Sequence, residues 1–344
     1  MAARRTDPLA HPENLLEALC ALDTTTGREA AILPALLPVL EALGAEVEVR
    51  AFEPGRCNVL ATWGEPRILF TTHLDTVPPF IPPVRKGDAL HGRGTCDAKG
   101  QIVAQLLAAA RLRDRGVAWM GVAGEETDSI GAQRALADWG TRFPACLAVI
   151  NGEPTELKVA TGQRGVRNLR LCCHGRAAHG GSPERGHSAV LDLVDWIGRI
   201  RALSPGSHPQ LGPEVWNLGV IRGGSAVNIV PDRAEALLNI RTVPGSSFAA
   251  AAAGAGPAGS EAEVQVDEAP SLFPELPGFE AAAVPFGSDA PVLRALAPSG
   301  AVALAGPGSI RWAHTADEHL TLSDLRAGAE LNLRLALHFL QEHP

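Results

Sequence analysis

Residues 68–78 read Ile-Leu-Phe-Thr-Thr-His-Leu-Asp-Thr-Val-Pro, an apolar run that gives way to a histidine and a carboxylate. The apolar part predicts a short buried strand. Side chains two residues apart on a strand point to the same face, so His73 and Asp75 should project together from its end. Open α/β sheets bind ligands beyond the carboxyl ends of their strands. The stretch therefore predicts an α/β fold with a polar site at this edge, although one such pair could also be a surface hydrogen bond.

Four further polar segments follow, each where a predicted strand or loop ends. They read Gly-Thr-Cys-Asp-Ala-Lys-Gly at 94–100, Gly-Glu-Glu-Thr at 124–127, Asn-Gly-Glu-Pro at 151–154 and Ala-His-Thr at 313–315. Taken singly, each segment has an ordinary explanation, such as a turn residue or a solvated charge pair. Because the segments recur along one alternating pattern, we interpret them as parts of one site.

The acidic residues and histidines of these segments suit a site for two metal ions. His73 and Glu153 would hold one ion, Glu126 and His314 would hold the other, and Asp97 would bridge the two. Carboxylate oxygens and imidazole nitrogens are ligands that zinc accepts in hydrolytic sites. The pattern thus predicts a two-metal hydrolase.

Two further acidic side chains have predicted roles beside these ligands. Glu125 precedes Glu126, and adjacent residues of an extended loop point in different directions, so Glu125 can face the attacking water as general base. Asp75 can accept a hydrogen bond from the free imidazole N–H of His73 and so fix the orientation of that ring.

Composition narrows the class of protein. A chain of 344 residues suggests two domains, and 46% hydrophobic with 20% charged residues argues against global disorder. The formal net charge of −8 argues against nucleic acid as a partner, since such proteins normally carry a basic stripe. No apolar run reaches the ~18–20 residues of a membrane span, so we expect no membrane partner.

The cysteines and the N-terminal residues indicate a compartment. The first twelve residues contain two arginines but no apolar stretch, so we expect no secretory signal. The six cysteines form no C-x-x-C pair, and a chain of this length does not need disulfides for stability. We therefore expect free thiols in a cytoplasmic protein.

The order of predicted elements indicates a discontinuous domain with an insertion. Helices and strands alternate in the α/β manner over residues 1–163 and again over 274–344, whereas 164–273 combine a helix with closely spaced strands, as in an α+β module. The predicted helices are 13–22, 28–43, 98–115, 130–139, 188–203, 248–258, 289–297 and 323–342. The predicted strands are 45–52, 67–72, 117–122, 146–150, 165–174, 215–222, 226–230, 234–241 and 301–304.

The motifs quoted above, in their order along nearly the whole chain, resemble those of the acetylornithine deacetylase, succinyl-diaminopimelate desuccinylase and carboxypeptidase G family. Gly-Glu-Pro-Thr at 152–155 and Ala-His-Thr-Ala-Asp-Glu at 313–318 add to the likeness. The resemblance implies a zinc-peptidase-like catalytic domain with a mixed central sheet, and an inserted lid or dimerisation domain. It also implies two zinc ions, replaceable by cobalt, and the residue roles given above.

The resemblance adds three residues of the inserted domain. The segment 175–180, Gly-Arg-Ala-Ala-His-Gly, resembles one in which a histidine, often lent by the partner subunit of a homodimer, polarises the scissile carbonyl. That role falls on His179. Asn228 and Arg241 stand where the family presents polar groups to the substrate carboxylate, for which an arginine fork is well shaped.

The substrate expectation depends on one departure from the family. Desuccinylases resemble Gly-Arg-Arg-Gly where this chain has Gly-Gln-Arg-Gly at 162–165, one arginine fewer for a succinyl carboxylate. We therefore expect a small-molecule N-acyl-L-amino acid, N-acetylornithine or N-acetylcitrulline, and a role in arginine biosynthesis. The alternatives are a desuccinylase, an amino-group-carrier-protein hydrolase, a di- or tripeptidase, and a non-catalytic scaffold of the same fold.

Overall fold

The computed structural model describes residues 8–342. Residues 1–7, which belong to the stretch expected to lack a secretory signal, and residues 343–344 lie outside the described part. The chain forms two compact units. The first comprises the described residues up to Ala160, Glu275–Ala282 and the chain from Ser288, and the second comprises Thr161–Pro274 and Ala283–Gly287. Both units are discontinuous, whereas the sequence had suggested one insertion at 164–273.

The described residues contain the following helices and strands. The helices are α1 (Pro12–Cys20), α2 (Leu33–Ala42), α3 (Lys99–Leu112), α4 (Ile130–Trp139), α5 (Ala189–Ala202), α6 (Phe248–Gly254), α7 (Ala290–Leu293) and α8 (Leu322–Glu342). The strands are β1 (Glu46–Glu53), β2 (Arg56–Trp63), β3 (Ile68–His73), β4 (Val84–Lys86), β5 (Ala89–His91), β6 (Val117–Val122), β7 (Ala148–Asn151), β8 (Val159–Gln163), β9 (Gly165–His174), β10 (Ser207–His208), β11 (Gly212–Pro213), β12 (Val215–Gly223), β13 (Arg233–Thr242), β14 (Glu261–Glu268), β15 (Ser271–Leu272), β16 (Ala281–Val284), β17 (Val302–Leu304) and β18 (His319–Thr321).

The first unit is built on a mixed six-stranded sheet in the order β1-β2-β6-β3-β7-β17. The strands β6, β3, β7 and β17 run parallel, whereas β1 and β2 pair antiparallel at one side. Parallel strands place their carboxyl ends at the same edge of the sheet. The loops that follow β3, β6, β7 and β17 therefore begin side by side, and this edge carries the site described below.

Burial explains why these segments form the central layer. Every residue of β3, β6 and β7 is buried, as expected for parallel strands covered on both faces. Helix α3, eleven of whose residues are buried, packs against α1 and α8. A 3-10 turn at Arg113–Arg115 follows it and ends at Gly116, whose φ is +72° and whose Cβ position would clash with the carbonyl oxygen of Glu65.

The second unit is the expected α+β module. Its antiparallel sheet has the order β12-β13-β9-β14, and α5 packs on β13 and β9. The buried side chains between them form a separate core. That core includes Leu169, Leu171, Leu193, Trp196, Ala236, Leu238 and Ile240.

One predicted strand is absent and others were missed. Residues 226–230 form a turn, in which the Val227 side chain is fully exposed, so the prediction of a strand there was wrong. The backbone of this segment instead bonds to a neighbouring loop, where Val230 N–H donates to the carbonyl oxygen of Ala178. The strands β2 and β14 had no counterpart in the sequence-based prediction.

All six cysteines are free and buried, in agreement with the expectation of free thiols. Burial raises the pKa of Cys20 and of Cys146 to about 12. Cys96, which precedes a predicted metal ligand, also has its pKa raised well above the usual value by burial, so its thiol is a packed neutral group. Within residues 8–342, no helix combines the length and the apolarity that crossing a membrane requires.

Candidate metal centre

The carboxyl ends of three parallel strands deliver the predicted ligands to one edge of the sheet. His73 is the last residue of β3 and is 2% exposed. Glu125 and Glu126 lie in the turn that follows β6, and Glu153 lies two residues beyond β7 and is 4% exposed. Neighbouring strands of a sheet lie ~5 Å apart, so side chains at adjacent strand ends can converge.

Asp97 lies between the two predicted histidine ligands. Its Oδ1 is 2.9 Å from Nε2 of His73, and its Oδ2 is 3.3 Å from Nε2 of His314. Asp97 is supplied by the loop before α3, and His314 by a loop before β18, where its φ of +65° is left-handed. One carboxylate thus places a separate oxygen beside each predicted histidine ligand, as a group shared by both predicted ions would.

The potential ligand atoms form groups that share this aspartate. His73, Asp97 and Glu153 place their ligand atoms within 4.8 Å of one another, and so do Asp97, Glu126 and His314. These two groups reproduce the division between two ions that the sequence suggested. A third group joins His73, Glu126 and Glu125, so the predicted general base lies at the same centre.

Electrostatics at the centre favour added positive charge. Burial, reinforced by the charge of Glu153, raises the pKa of Glu125 well above its usual range. Burial and the charges of Asp97 and Glu126 likewise raise the pKa of Glu153. Hydrogen bonds that His314 donates to the carboxylates of Asp97 and Glu126 raise the pKa of its imidazole to about 10. The crowded carboxylates hold protons because each negative charge disfavours the next. Two divalent cations could supply that positive charge in place of the protons, and the carboxylate oxygens and imidazole nitrogens are suitable ligands for them.

Asp75 contacts His73 and also a second part of the centre. Its Oδ1 is 3.4 Å from Nδ1 of His73, although that nitrogen is closer, at 3.0 Å, to the backbone oxygen of Asp75. The same Oδ1 accepts hydrogen bonds from the N–H groups of Gly124 and Glu125, and Oδ2 accepts one from the N–H of Glu126. The carboxylate therefore holds the turn that carries the predicted base and one metal ligand.

The family of the chain follows from its similarity to known proteins. Residues 69–338 match the model of "Peptidase family M20/M25/M40". A peptidase M20 domain-containing protein of Schizosaccharomyces pombe is 32% identical over 347 residues, which cover 95% of this chain and 84% of that protein. The chain belongs to the M20/M25/M40 peptidase family. A "Probable carboxypeptidase" of Aspergillus clavatus is also 32% identical, over 90% of this chain and 84% of its own length.

Solved structures of the M20/M25/M40 type share the fold. A tripeptidase from Staphylococcus aureus superposes with a TM-score of 0.76 at 21% identity, covering 96% of this chain and 98% of that one. The metallo-carboxypeptidase Sso-CP2 from Sulfolobus solfataricus gives 0.76 at 15% identity, covering 96% and 99%. These likenesses confirm the predicted zinc-peptidase-like fold. Membership of the peptidase family, shown by the family model and the Schizosaccharomyces pombe relative, identifies the chain as a hydrolase of that family.

Two buried side chains that sequence reasoning left without a role also reach the centre of this M20/M25/M40 protein. Arg93 and Glu318 form an ion pair beside the backbone of Asp97. Glu318 belongs to the motif at 313–318, but no spacing there indicated that its side chain would turn inward. Thr26, whose hydroxyl donates to Oδ2 of Asp75, carried no sequence signal either.

His179 and Asn228 lie on neighbouring loops of the second unit. His179 is exposed and forms an isolated bridge with Ile229, and the N–H of Gly180 donates to the backbone oxygen of Asn228. A Cβ atom on Gly180 would lie 3.0 Å from backbone atoms of Asn228, so the close approach of the loops favours glycine there. The structure therefore brings these two predicted residues together.

Arg241 lies elsewhere in the second unit. It stands near the end of β13 and pairs with Val166, whereas Arg233 at the start of β13 pairs with His174. The loops that carry His179 and Asn228 adjoin the Arg233 end. Eight residues of extended strand span ~26 Å, so Arg241 and the His179–Asn228 pair belong to opposite ends of this sheet.

Proposed function

We propose that this chain hydrolyses the amide bond of a short linear substrate that carries a free carboxylate, most simply a di- or tripeptide cleaved as by a carboxypeptidase. The position of Asp97, with one oxygen toward His73 and the other toward His314, is the observation that carries the hydrolytic part. The peptide part is supported by the printed names of the relatives, which are peptidases and carboxypeptidases.

Two Zn²⁺ ions, or Co²⁺ in their place, are the cofactors that fit the donor set. His73 and Glu153 would hold one ion, Glu126 and His314 the second, and Asp97 would be common to both. When bound, such ions polarise a carbonyl oxygen and lower the pKa of water to ~7.

Glu125 is the proposed general base of the reaction. Its carboxylate would take a proton from the attacking water and then deliver that proton to the nitrogen of the leaving amine. Asp75 would keep Glu125 in place, because its carboxylate accepts hydrogen bonds from the backbone N–H groups of residues 124–126. A proton acceptor must stay within ~2.6–3.2 Å of its donor, so displacement of this turn would slow the proton transfer.

The second unit is proposed to bind the substrate. His179 would donate to the carbonyl oxygen as negative charge develops there, and such donors contribute ~3–4 kcal/mol to the transition state. Asn228 and Arg241 would bind the carboxylate. Because the His179–Asn228 pair and Arg241 adjoin opposite ends of one sheet, we assign them to different active sites of a homodimer joined through the second units, with His179 and Asn228 acting in the partner's site.

The narrower expectation of N-acetylornithine or N-acetylcitrulline deacetylation is a second candidate. Those substrates share an acylated amine and a free carboxylate with a dipeptide, so the same centre could cleave them. That expectation depended on the arginine that Gln163 replaces, and the arginine that remains, Arg164, donates through its guanidinium to the backbone oxygen of Leu211. That contact gives Arg164 a structural role, so the peptidase and carboxypeptidase names of the relatives carry more weight for the choice of substrate.

A substrate panel tests the proposal. The purified protein, loaded with zinc or cobalt, is assayed with di- and tripeptides, N-acetyl and N-succinyl amino acids, succinyl-diaminopimelate and an amino-group carrier protein. We expect peptides with a free carboxyl terminus to be cleaved fastest and a chelator to abolish turnover. Faster cleavage of N-acetylornithine would favour the second candidate, and absence of both bound metal and turnover would indicate a scaffold.

Glu125→Gln separates chemistry from metal binding. Gln keeps the size of the side chain but cannot accept the proton, so kcat should fall ~10²–10⁴-fold while two metal ions per chain are retained. Glu330→Gln, an exposed glutamate paired with Arg111, is the control and should keep full activity. Near-normal turnover by Glu125→Gln would contradict the proposed base.

A further inference from the structure

The carboxylate of Glu318 is buried against the loop that carries the bridging aspartate. Glu318 is 0% exposed and lies just before β18. Its Oε1 accepts the backbone N–H of Gly94 at 2.9 Å and those of Cys96 and Asp97 at 3.3 Å. Three converging donors on one oxygen fix the backbone from which the Asp97 side chain extends.

The second oxygen of Glu318 connects the same carboxylate to the His314 loop. Oε2 accepts a hydrogen bond of 2.6 Å from Nη1 of Arg93, and Arg93 is 2% exposed. The same Nη1 also donates to the backbone oxygen of Thr315, the residue after His314, at 3.3 Å. The Arg93 Nε donates to the backbone oxygen of Pro79 at 3.4 Å.

We propose that the Glu318–Arg93 pair positions the two halves of the centre relative to each other. Glu318 holds the backbone of Asp97, and Arg93 holds the backbone beside His314, so one buried ion pair sets the spacing between Asp97 and His314. Both are positioning residues, since neither is among the grouped ligand atoms. The inference depends on the proposed two-metal function, and it adds the two residues that hold the ligands of the second metal site, Asp97 and His314, at the correct distance.

The contacts predict which substitutions matter. Glu318→Gln keeps the length of the side chain, but one oxygen becomes an NH2 group that cannot accept a hydrogen bond from Arg93 or from the loop. Arg93→Lys keeps the charge, but a single ammonium cannot span Glu318, Thr315 and Pro79 as the guanidinium fork does. We therefore expect the first change to be the more severe.

The test measures metal binding directly as well as rate. Wild type and Glu318→Gln, both as full chains, are titrated with Zn²⁺ against a chromogenic chelator, and their Co²⁺-substituted forms are compared by visible absorption. We expect the weaker of the two metal sites to lose ~10–100-fold in affinity, with an altered Co²⁺ spectrum and a lower kcat at similar KM.

A matched control separates positioning from general destabilisation. Glu214 in the second unit is also a buried carboxylate that accepts a backbone N–H, from Gly206. Glu214→Gln should lower thermal stability while keeping both metal affinities within ~2-fold and the Co²⁺ spectrum unchanged. If Glu318→Gln does not fold, Arg93→Lys takes its place, with an expected loss of ~3–10-fold in affinity for the weaker site.

Two results would overturn the inference, and they differ from failure of the proposed function. If the wild type binds two ions and Glu318→Gln, or Arg93→Lys in its place, binds them with unchanged affinity and spectrum, the pair does not position the ligands. An equal loss in Glu214→Gln would also overturn it, because the effect would then be general destabilisation. If the wild type itself binds no metal, the proposed function fails first.

Discussion

Asp75 shows at the scale of one residue how a carboxylate can organise a site without binding a metal. It accepts three consecutive backbone N–H groups of the turn at 124–126 and the hydroxyl of Thr26, and it is fully buried. If this buried carboxylate is removed, the N–H and O–H groups that donate to it are left without a hydrogen-bond partner. The residue therefore connects His73 at the end of β3 to the turn after β6.

Asp75→Asn should loosen this turn. The carboxamide nitrogen of asparagine cannot accept a hydrogen bond, so at least one of the three backbone N–H groups loses its acceptor. The turn should then become more mobile, and Glu125 should spend less time in the position that proton transfer requires. We expect kcat to fall ~10–100-fold, with folding retained at the assay temperature. Steady-state kinetics together with circular dichroism check this expectation. If circular dichroism shows that the fraction of folded protein falls by as large a factor as kcat, a specific role of Asp75 in holding the turn is contradicted.

The sequence predicted the chemistry of these residues better than their partners. His73, Asp97 and Glu153 stand in motifs at strand ends, and the spacing rules of strands indicate their convergence. The contact of Asp75 with the turn joins residues separated by 49 to 51 positions in the chain. Such a contact depends on the order of strands in the sheet, which one sequence does not specify.

Helix α5 illustrates at the scale of an element how burial alternates along one segment. Leu193 is 1% exposed and packs in the core of the second unit, whereas Leu191 on the same helix is 65% exposed. The helix begins with Ser188, whose hydroxyl accepts the N–H of Leu191 as an N-cap. Its buried side thus covers the sheet, while Leu191 adds no core packing.

Leu193→Ala and Leu191→Ala therefore form a matched pair. The buried truncation should cost ~2–5 kcal/mol because it leaves a cavity. The exposed truncation should change the free energy of unfolding by less than ~0.5 kcal/mol. Urea denaturation followed by circular dichroism measures both. Similar losses for the two variants would contradict the burial pattern of α5.

The same reasoning explains which elements could be predicted. Strands β3 and β6 were predicted to within a residue because they contain short buried apolar runs. Strand β9 was predicted over its full length, and its polar and apolar residues alternate along its middle part. Strand β2 was missed because it is buried along almost its whole length and polar residues interrupt its apolar run. Strand β14 was missed because its side chains are mostly exposed, so pairing with β9 stabilises it more than burial does.

At the scale of the whole molecule, the second unit offers different groups at its two ends. His179 and Asn228 adjoin one end of its sheet and Arg241 stands near the other. A single short substrate cannot span such a distance. A homodimer in which each second unit serves two active sites would use both ends.

Mixing two inactive variants tests that arrangement. His179→Ala and Glu125→Gln subunits are unfolded together, refolded with zinc and assayed against each variant alone. If His179 acts in the partner's site, half of the dimers are mixed and one of their two sites is intact, which restores about a quarter of wild-type activity. Activity no higher than that of the separate variants would contradict a partner-donated histidine.

The burial of all six cysteines makes the chain convenient for site-specific labelling. A maleimide dye must reach a thiolate to react, and burial shields all six native thiols from it. One cysteine introduced at exposed Gly198 would therefore carry the dye without removal of the native six. Energy transfer between donor- and acceptor-labelled copies would then report subunit association in real time, on a protein whose interior remains unaltered.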